Sequence, residues 1–208
     1  MTALLDHGLE ATALHNHFFW ETPRVFYMHV HGHGKASDLA ARVKPALDLV
    51  GKGSAPRRTR RERAGDRWKA RYRGAVEDDR TSGDQSGAVY KITIGRADLK
   101  LQQMGATINA RMGLNTWAAF YGTDVDAVVA GDVATLALEV TPVLKALRAH
   151  GIDVVAMHHH MLGTQPIVSF CTTGARARPI SWRPVCGPRS INSVTPSRAS
   201  ERVTRSPR

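Results

Sequence analysis

The chain has 208 residues, 29 Lys or Arg against 18 Asp or Glu, and a formal net charge of +11, a balance that would ordinarily point to a nucleic acid or an anionic membrane. The distribution argues otherwise: residues 53–80 carry +5 (ten basic, five acidic) and residues 171–208 carry +7 (eight basic, one acidic), which leaves the remainder at −1. No basic motif interleaves with stacking aromatics as single-strand binding requires, so nucleic acid is set aside as a partner.

In chain order, Thr2 to His7 reads as a helix tail closed by Gly8. Ala11 to His17 alternates as a strand does, Phe18 to Pro23 turns, and Arg24 to His31 is a second strand. Ser37 is a good N-cap for a helix from Asp38 to Val50, whose Leu39, Val43, Leu47 and Val50 keep helical spacing. After the basic stretch come strands at Val89–Ile94, Leu99–Gln103, Leu114–Tyr121 and Ala127–Asp132, with Gly131 and Asp132 read as a strand end. A helix from Glu139 to His150, with Pro142 in its first turn, closes at Gly151 and leads to strands at Ile152–His158 and Pro166–Phe170. This order predicts an α+β fold of two related repeats, each an antiparallel sheet with helices packed on one face, the first repeat truncated. No apolar run approaches the ~20 residues that cross a bilayer, so no transmembrane segment is expected.

A His-rich segment occurs twice: GLEATALHNHFFWETPRVFYMHVHGHGKASDLAARVKPALD from Gly8, and GIDVVAMHHHMLGTQPIV from Gly151. The second copy does not continue as the first does. One codon choice for Phe170 to Asn192, read in a neighbouring frame, yields LHYWGTGPADKLAPGVRAALDQ, which aligns without a gap to MHVHGHGKASDLAARVKPALD of the first copy. A frameshift near Ser169 is therefore expected. A shifted reading of Lys69 to Arg80 gives RLDIAARLKTIV, a plausible helix start, against the rival reading of an ordinary basic linker. The expected organisation is residues 1–50 as the C-terminal half of repeat 1, 51–86 as a basic linker, 87–170 as repeat 2 without its last strand and helix, and 171–208 as an out-of-frame, disordered tail. Both cysteines, Cys171 and Cys186, fall in that tail, leaving no disulfide framework or thiolate metal site elsewhere.

ALHNHFFWETPRVFYMHVHGHGKASDLA, VYKITIGRADLKL, MGLNTWAAFYGT and AVVAGDVATLALEVTPVLKALRAHGIDVVAMHHHMLGTQP occur here in that order. Together they resemble the LppY/LpqO family, over residues 1–50 and 87–168. The resemblance implies a bacterial protein of tandem repeats with no established biochemical function, exported or periplasmic and in some members a lipoprotein. The chain departs from the pattern in three places: it lacks the N-terminal part of repeat 1 and an export signal, the family-like linker, and the LHYWG strand with its last helix.

Residues two apart in a strand share a face, so His15 pairs with His17 and His29 with His31. A hairpin centred near Thr22 puts His15 opposite His29 and lines one face with four imidazoles, a workable geometry for zinc or another divalent transition metal. His158 and His160 take the places of His15 and His17 in the second copy, and the His of LHYWG would take that of His29. His33 lies beyond the strand, and His159 is out of phase. Glu21 is the one carboxylate nearby, since Asp153 has the opposite parity to His158. Phe18, Phe19 and Trp20 read as core, with an aromatic lip for a ligand as the alternative, and Trp117 reads as core. The best functional reading is a metal- or small-ligand-binding domain using His-lined hairpins. A metal-free polar pocket is the rival use of the same rings. A zinc hydrolase is the second functional reading, similar to LytM-type peptidases in using His-x-His, although their HxxxD half is absent. A structural or interaction module is the third.

Overall fold

A computed structural model describes residues 1–51, 83–122 and 126–177. Its elements are α1 (Thr2–Leu5), β1 (Glu10–His15), β2 (Tyr27–His31), α2 (Ala36–Leu47), β3 (Gly83–Ser86), β4 (Val89–Gly95), β5 (Leu101–Gln103), β6 (Ala106–Ile108), β7 (Asn115–Gly122), β8 (Ala127–Thr135), α3 (Ala137–Ala149), β9 (Asp153–His158) and β10 (Ser169–Ala177). The fold is α+β and mainly antiparallel. Six strands form one sheet in the order β3-β4-β7-β8-β10-β9, and β1-β2 and β5-β6 are separate two-stranded hairpins.

The alternation in β4 and β7 sends Tyr90, Ile92, Ala118 and Phe120 to one face, where they join Val129, Cys171 and Ala175 beneath Leu147 of α3. The central strands β8 and β10 each bury six of their nine residues, on alternate sides of the sheet, so both of their faces are covered. The cover on the second face is the β1-β2 hairpin. At Gly174 an added Cβ would lie 2.2 Å from the His17 carbonyl oxygen and 2.8 Å from Phe18, which is how closely that hairpin's loop approaches β10. A second core, with Leu101, Ile108, Leu114, Val168 and Phe170, fills the space under β5-β6.

Helix α3 begins two residues earlier than the sequence suggests, because Glu139 acts from the third helical position: its carboxylate accepts the Leu136 N–H at 2.8 Å. Arg96 binds the same carboxylate at 2.8 Å and the Ala134 carbonyl at 2.9 Å, fastening the helix start to the sheet. Pro142 therefore lies inside the helix rather than in its first turn. Helix α2 likewise starts at Ala36, with Ser37 bonded to Asp38 instead of capping. It holds α1 through Arg42, which donates to the His7 and Gly8 carbonyls.

Two boundaries differ from expectation. Gly83–Ser86 is not linker but the edge strand β3, paired with β4. The folded chain also does not stop at 170: Cys171–Ala177 continues β10, paired with β8 along its whole length. Thr, Cys and Phe in SFCTTGARA suit a pleated, buried strand, and its one charge, Arg176, sits at the end and pairs with Asp126 at 2.9 Å. The basic stretch at 52–82, the shifted reading of 69–80 and the tail from 178 onward lie outside the described residues. Residues 1–51 form the two-stranded β1-β2 sheet together with α1 and α2, and this hairpin lies against the larger sheet. No helix among the described residues is long and apolar enough to cross a membrane.

A histidine cluster between hairpin and sheet

The β1-β2 register differs from the expected one. His15 pairs with Tyr27, and His29 with Ala13, because the hairpin is centred at Glu21 rather than Thr22; the ladder shifts once more between Ala11 and Ala13. His15 and His29 still meet diagonally, their Nε2 atoms 2.8 Å apart. Two bare lone pairs would repel at that distance, so a proton or a cation must stand between them. His158, ending β9, stacks against His15 with ring centroids 4.3 Å apart and lies 4.8 Å from His29. His160 follows, 4.1 Å from His29 and stacked on Phe170 at 3.6 Å.

Beneath the rings is a carboxylate the sequence reading passed over. Asp132 is in mid-strand, not at a strand end, and is 2% exposed. Thr172 of β10 donates its hydroxyl to Asp132 Oδ1 at 2.7 Å. No Lys or Arg among the described residues pairs with Asp132. Asp132 replaces Glu21 as the nearby carboxylate, since Glu21 accepts the exposed Val25 N–H instead. Its signal was available: an Asp inside the apolar run AVVAGDVATLAL is expensive to bury unless it has work to do.

Hydrogen bonding fixes the tautomers. The Thr172 hydroxyl spends its one proton on Asp132, so at 3.2 Å it accepts from His158 Nδ1–H. That leaves His158 Nε2 as a bare lone pair, and this atom is buried with no hydrogen-bond partner. His160 Nε2 is buried and unpartnered too, while its other nitrogen bonds the Gly113 backbone. Burial, reinforced first by His15, pushes His158 down to about 2; burial, reinforced by His29, pushes His160 down to about 4. Burial also lowers His29, with His15 adding to the effect, and lowers His17 against the opposing pull of Asp132. His158 and His160 are therefore neutral at pH 7, with nitrogen lone pairs available.

Two groups of side chains have ligand atoms within 4.8 Å of one another: His15, His29 and His158, and Asp132, His158 and His160. Such groups can hold a metal ion. Tetrahedral zinc with bonds near 2.0–2.1 Å separates its ligand atoms by about 3.4 Å, so small side-chain rotations suffice. The other two expected ligands fall outside both groups. His17 lies past the end of β1, buried against Tyr27 at 4.5 Å and Trp117 at 5.5 Å. His31 sits toward the other end of the hairpin, with Nδ1 3.3 Å from Glu10. A cleft of about 480 Å³, lined by His29, His31, Gln103, Gly113 and His160, adjoins the cluster. Phe19 and Trp20, expected in the core, are about half exposed.

The chain matches the family described as Domain of Unknown Function (DUF1259) over residues 1–49 and 78–182, most of its length, and belongs to that family. No curated protein and no solved structure gives a match.

Proposed function

We propose that this member of a domain family of unknown function binds a divalent transition metal, zinc foremost, between its first hairpin and its main sheet. His15, His29, His158, His160 and Asp132 are the ligand candidates. The observation that carries the reading is the pair of buried, unpartnered imidazole nitrogens of His158 and His160 beside a buried carboxylate that has no cationic partner among the described residues. Polar atoms left in that state cost about 1–3 kcal/mol each. A cation coordinated by those nitrogens removes the cost and balances Asp132. Neutral imidazoles with a carboxylate suit zinc, copper, nickel or iron.

Protein purified without an affinity tag is expected to carry about one metal per chain, or to gain thermal stability when zinc is added. The absence of both metal and stabilisation would sink the reading. The adjoining cleft supports zinc-dependent hydrolysis as a second reading, because a catalytic zinc needs an open position that substrate can reach. Metal without hydrolysis of peptide or ester substrates leaves the binding reading alone. The motifs quoted above further support placing the chain with the LppY/LpqO proteins, and with them an exported setting.

A further inference from the structure

The β9-β10 hairpin repeats the pairing of β1-β2. In the first, His15 pairs with Tyr27, Leu14 with Met28 and Ala13 with His29. In the second, His158 pairs with Phe170, Met157 with Cys171 and Ala156 with Thr172. His158 stands where His15 does, so Thr172 stands where His29 does. The codon choice described above, read in the neighbouring frame, would set a His over Thr172, with its Leu, Tyr and Trp over Cys171, Thr173 and Gly174.

The surroundings of Thr172 are those of a ligand. It is fully buried, and its hydroxyl touches Asp132 Oδ1 at 2.7 Å, His158 Nδ1 at 3.2 Å and His15 Nδ1 at 3.4 Å.

We propose that the two hairpins are matching halves of one metal site, and that position 172 is its fourth imidazole position, held in this chain by a threonine. The inference rests on the metal-binding reading above and adds its ligand count. The pairs are His15 with His29, and His158 with residue 172, with Asp132 between the halves on β8. The chain as it stands has three of the four imidazoles that the paired hairpin positions would supply, with His160 beside them, and is a weakened version of the site.

The test titrates zinc, and cobalt(II) as a spectroscopic probe, into the full chain, Thr172→His and Thr172→Leu, all without tags. Loss of an outer hydrogen-bond partner typically weakens a metal site about 10–100-fold, so a direct ligand should matter at least as much. Thr172→His is expected to bind at least about tenfold more tightly, with a tetrahedral cobalt spectrum that gains a nitrogen ligand. Thr172→Leu, of similar bulk but without a donor, should show no gain. If the parent chain binds zinc and folded Thr172→His binds no better, this inference is overturned while the metal reading stands. If neither binds zinc or cobalt, both fall. Should Thr172→His not fold, the chain carrying LHYWGTGPADKLAPGVRAALDQ after Phe170 replaces it. Changing that segment's His to Thr must then abolish the gain, and an unchanged affinity overturns the proposal.

Discussion

Acid should weaken this fold well above the range in which carboxylates titrate, through His158 and His160. Their folded values are about 2 and about 4, against about 6.5 in an unfolded chain. A folded value below the unfolded one means that the unfolded chain binds more protons in the interval between them, so stability rises with pH there and falls on acidification. Nothing is lost above about pH 6.5, where both states hold neutral rings. Between pH 7 and pH 5 each of the two imidazoles contributes a loss of about 2 kcal/mol, about 4 kcal/mol together, with a slope near 2.7 kcal/mol per pH unit at the lower end. The His160 contribution levels off below about pH 4, while that of His158 continues toward pH 2. His29 and His17, both lowered, act in the same direction. Against a usual total of about 5–15 kcal/mol this is a large share. The assay is urea unfolding in chelator at half-unit pH steps. His158→Asn, which keeps a polar side chain but cannot titrate, should recover about half of the loss. Stability that is flat from pH 7 to pH 5, or an unchanged slope in His158→Asn, refutes the reasoning. Zinc competes for the same nitrogens, so its stabilisation should fade over the same interval.

Asp132→Asn keeps the shape and removes the charge; zinc affinity should fall by about tenfold or more, while the metal-free chain holds its stability or gains some, since an uncompensated buried charge is gone. Gly174→Ala sets a methyl group against the His17 carbonyl, a backbone atom that cannot swing aside; a loss of about 1–3 kcal/mol in urea unfolding, together with weaker zinc binding, is expected as the hairpin lifts. Leu147→Ala, under α3, should cost about 2–5 kcal/mol yet leave zinc stoichiometry unchanged below the unfolding transition. The Cys171 thiol, pushed up to about 12 by burial, should resist alkylation until the chain unfolds.

Elements with strong periodicity were legible in the sequence: β4, β7, α3 and the two His-bearing strands were each placed within a few residues. What the sequence hid depends on contacts distant along the chain. The centring of the β1-β2 hairpin, which sets His29 opposite Ala13, is marked by no residue type in the loop between the two strands. The docking of β1-β2 on β10 depends on Gly174 being bare, which no local pattern reveals. Short strands such as β3 and β6 carry too few residues to show alternation. Summing charge over residues 171–208 concealed that their first seven hold a single Arg and make a good buried strand. At the site, strand parity singled out His15 and His29, and the repeat singled out His158 and His160, the four imidazoles in the groups that could hold an ion. His17 and His31 fall outside those groups, because β1 ends at His15 and His31 faces Glu10.

The two faces of the main sheet are built to different ends. The α3 face is filled with Ile92, Phe120, Val129 and Leu147, the apolar packing that stabilises any domain of this size. The hairpin face could have been filled the same way at lower cost, since burying a polar atom without a partner is unfavourable while an apolar side chain of equal volume is not. Instead it holds Asp132, Thr172, His15 and His17, all nearly or fully buried, and leaves three imidazole nitrogens without partners, on His17, His158 and His160. A fold does not need this arrangement, whereas the metal site proposed above would use it. The division is why changes under α3 and changes under the hairpin should separate in experiment: the first lowers stability and leaves metal binding intact, and the second changes metal binding and can raise the stability of the metal-free chain.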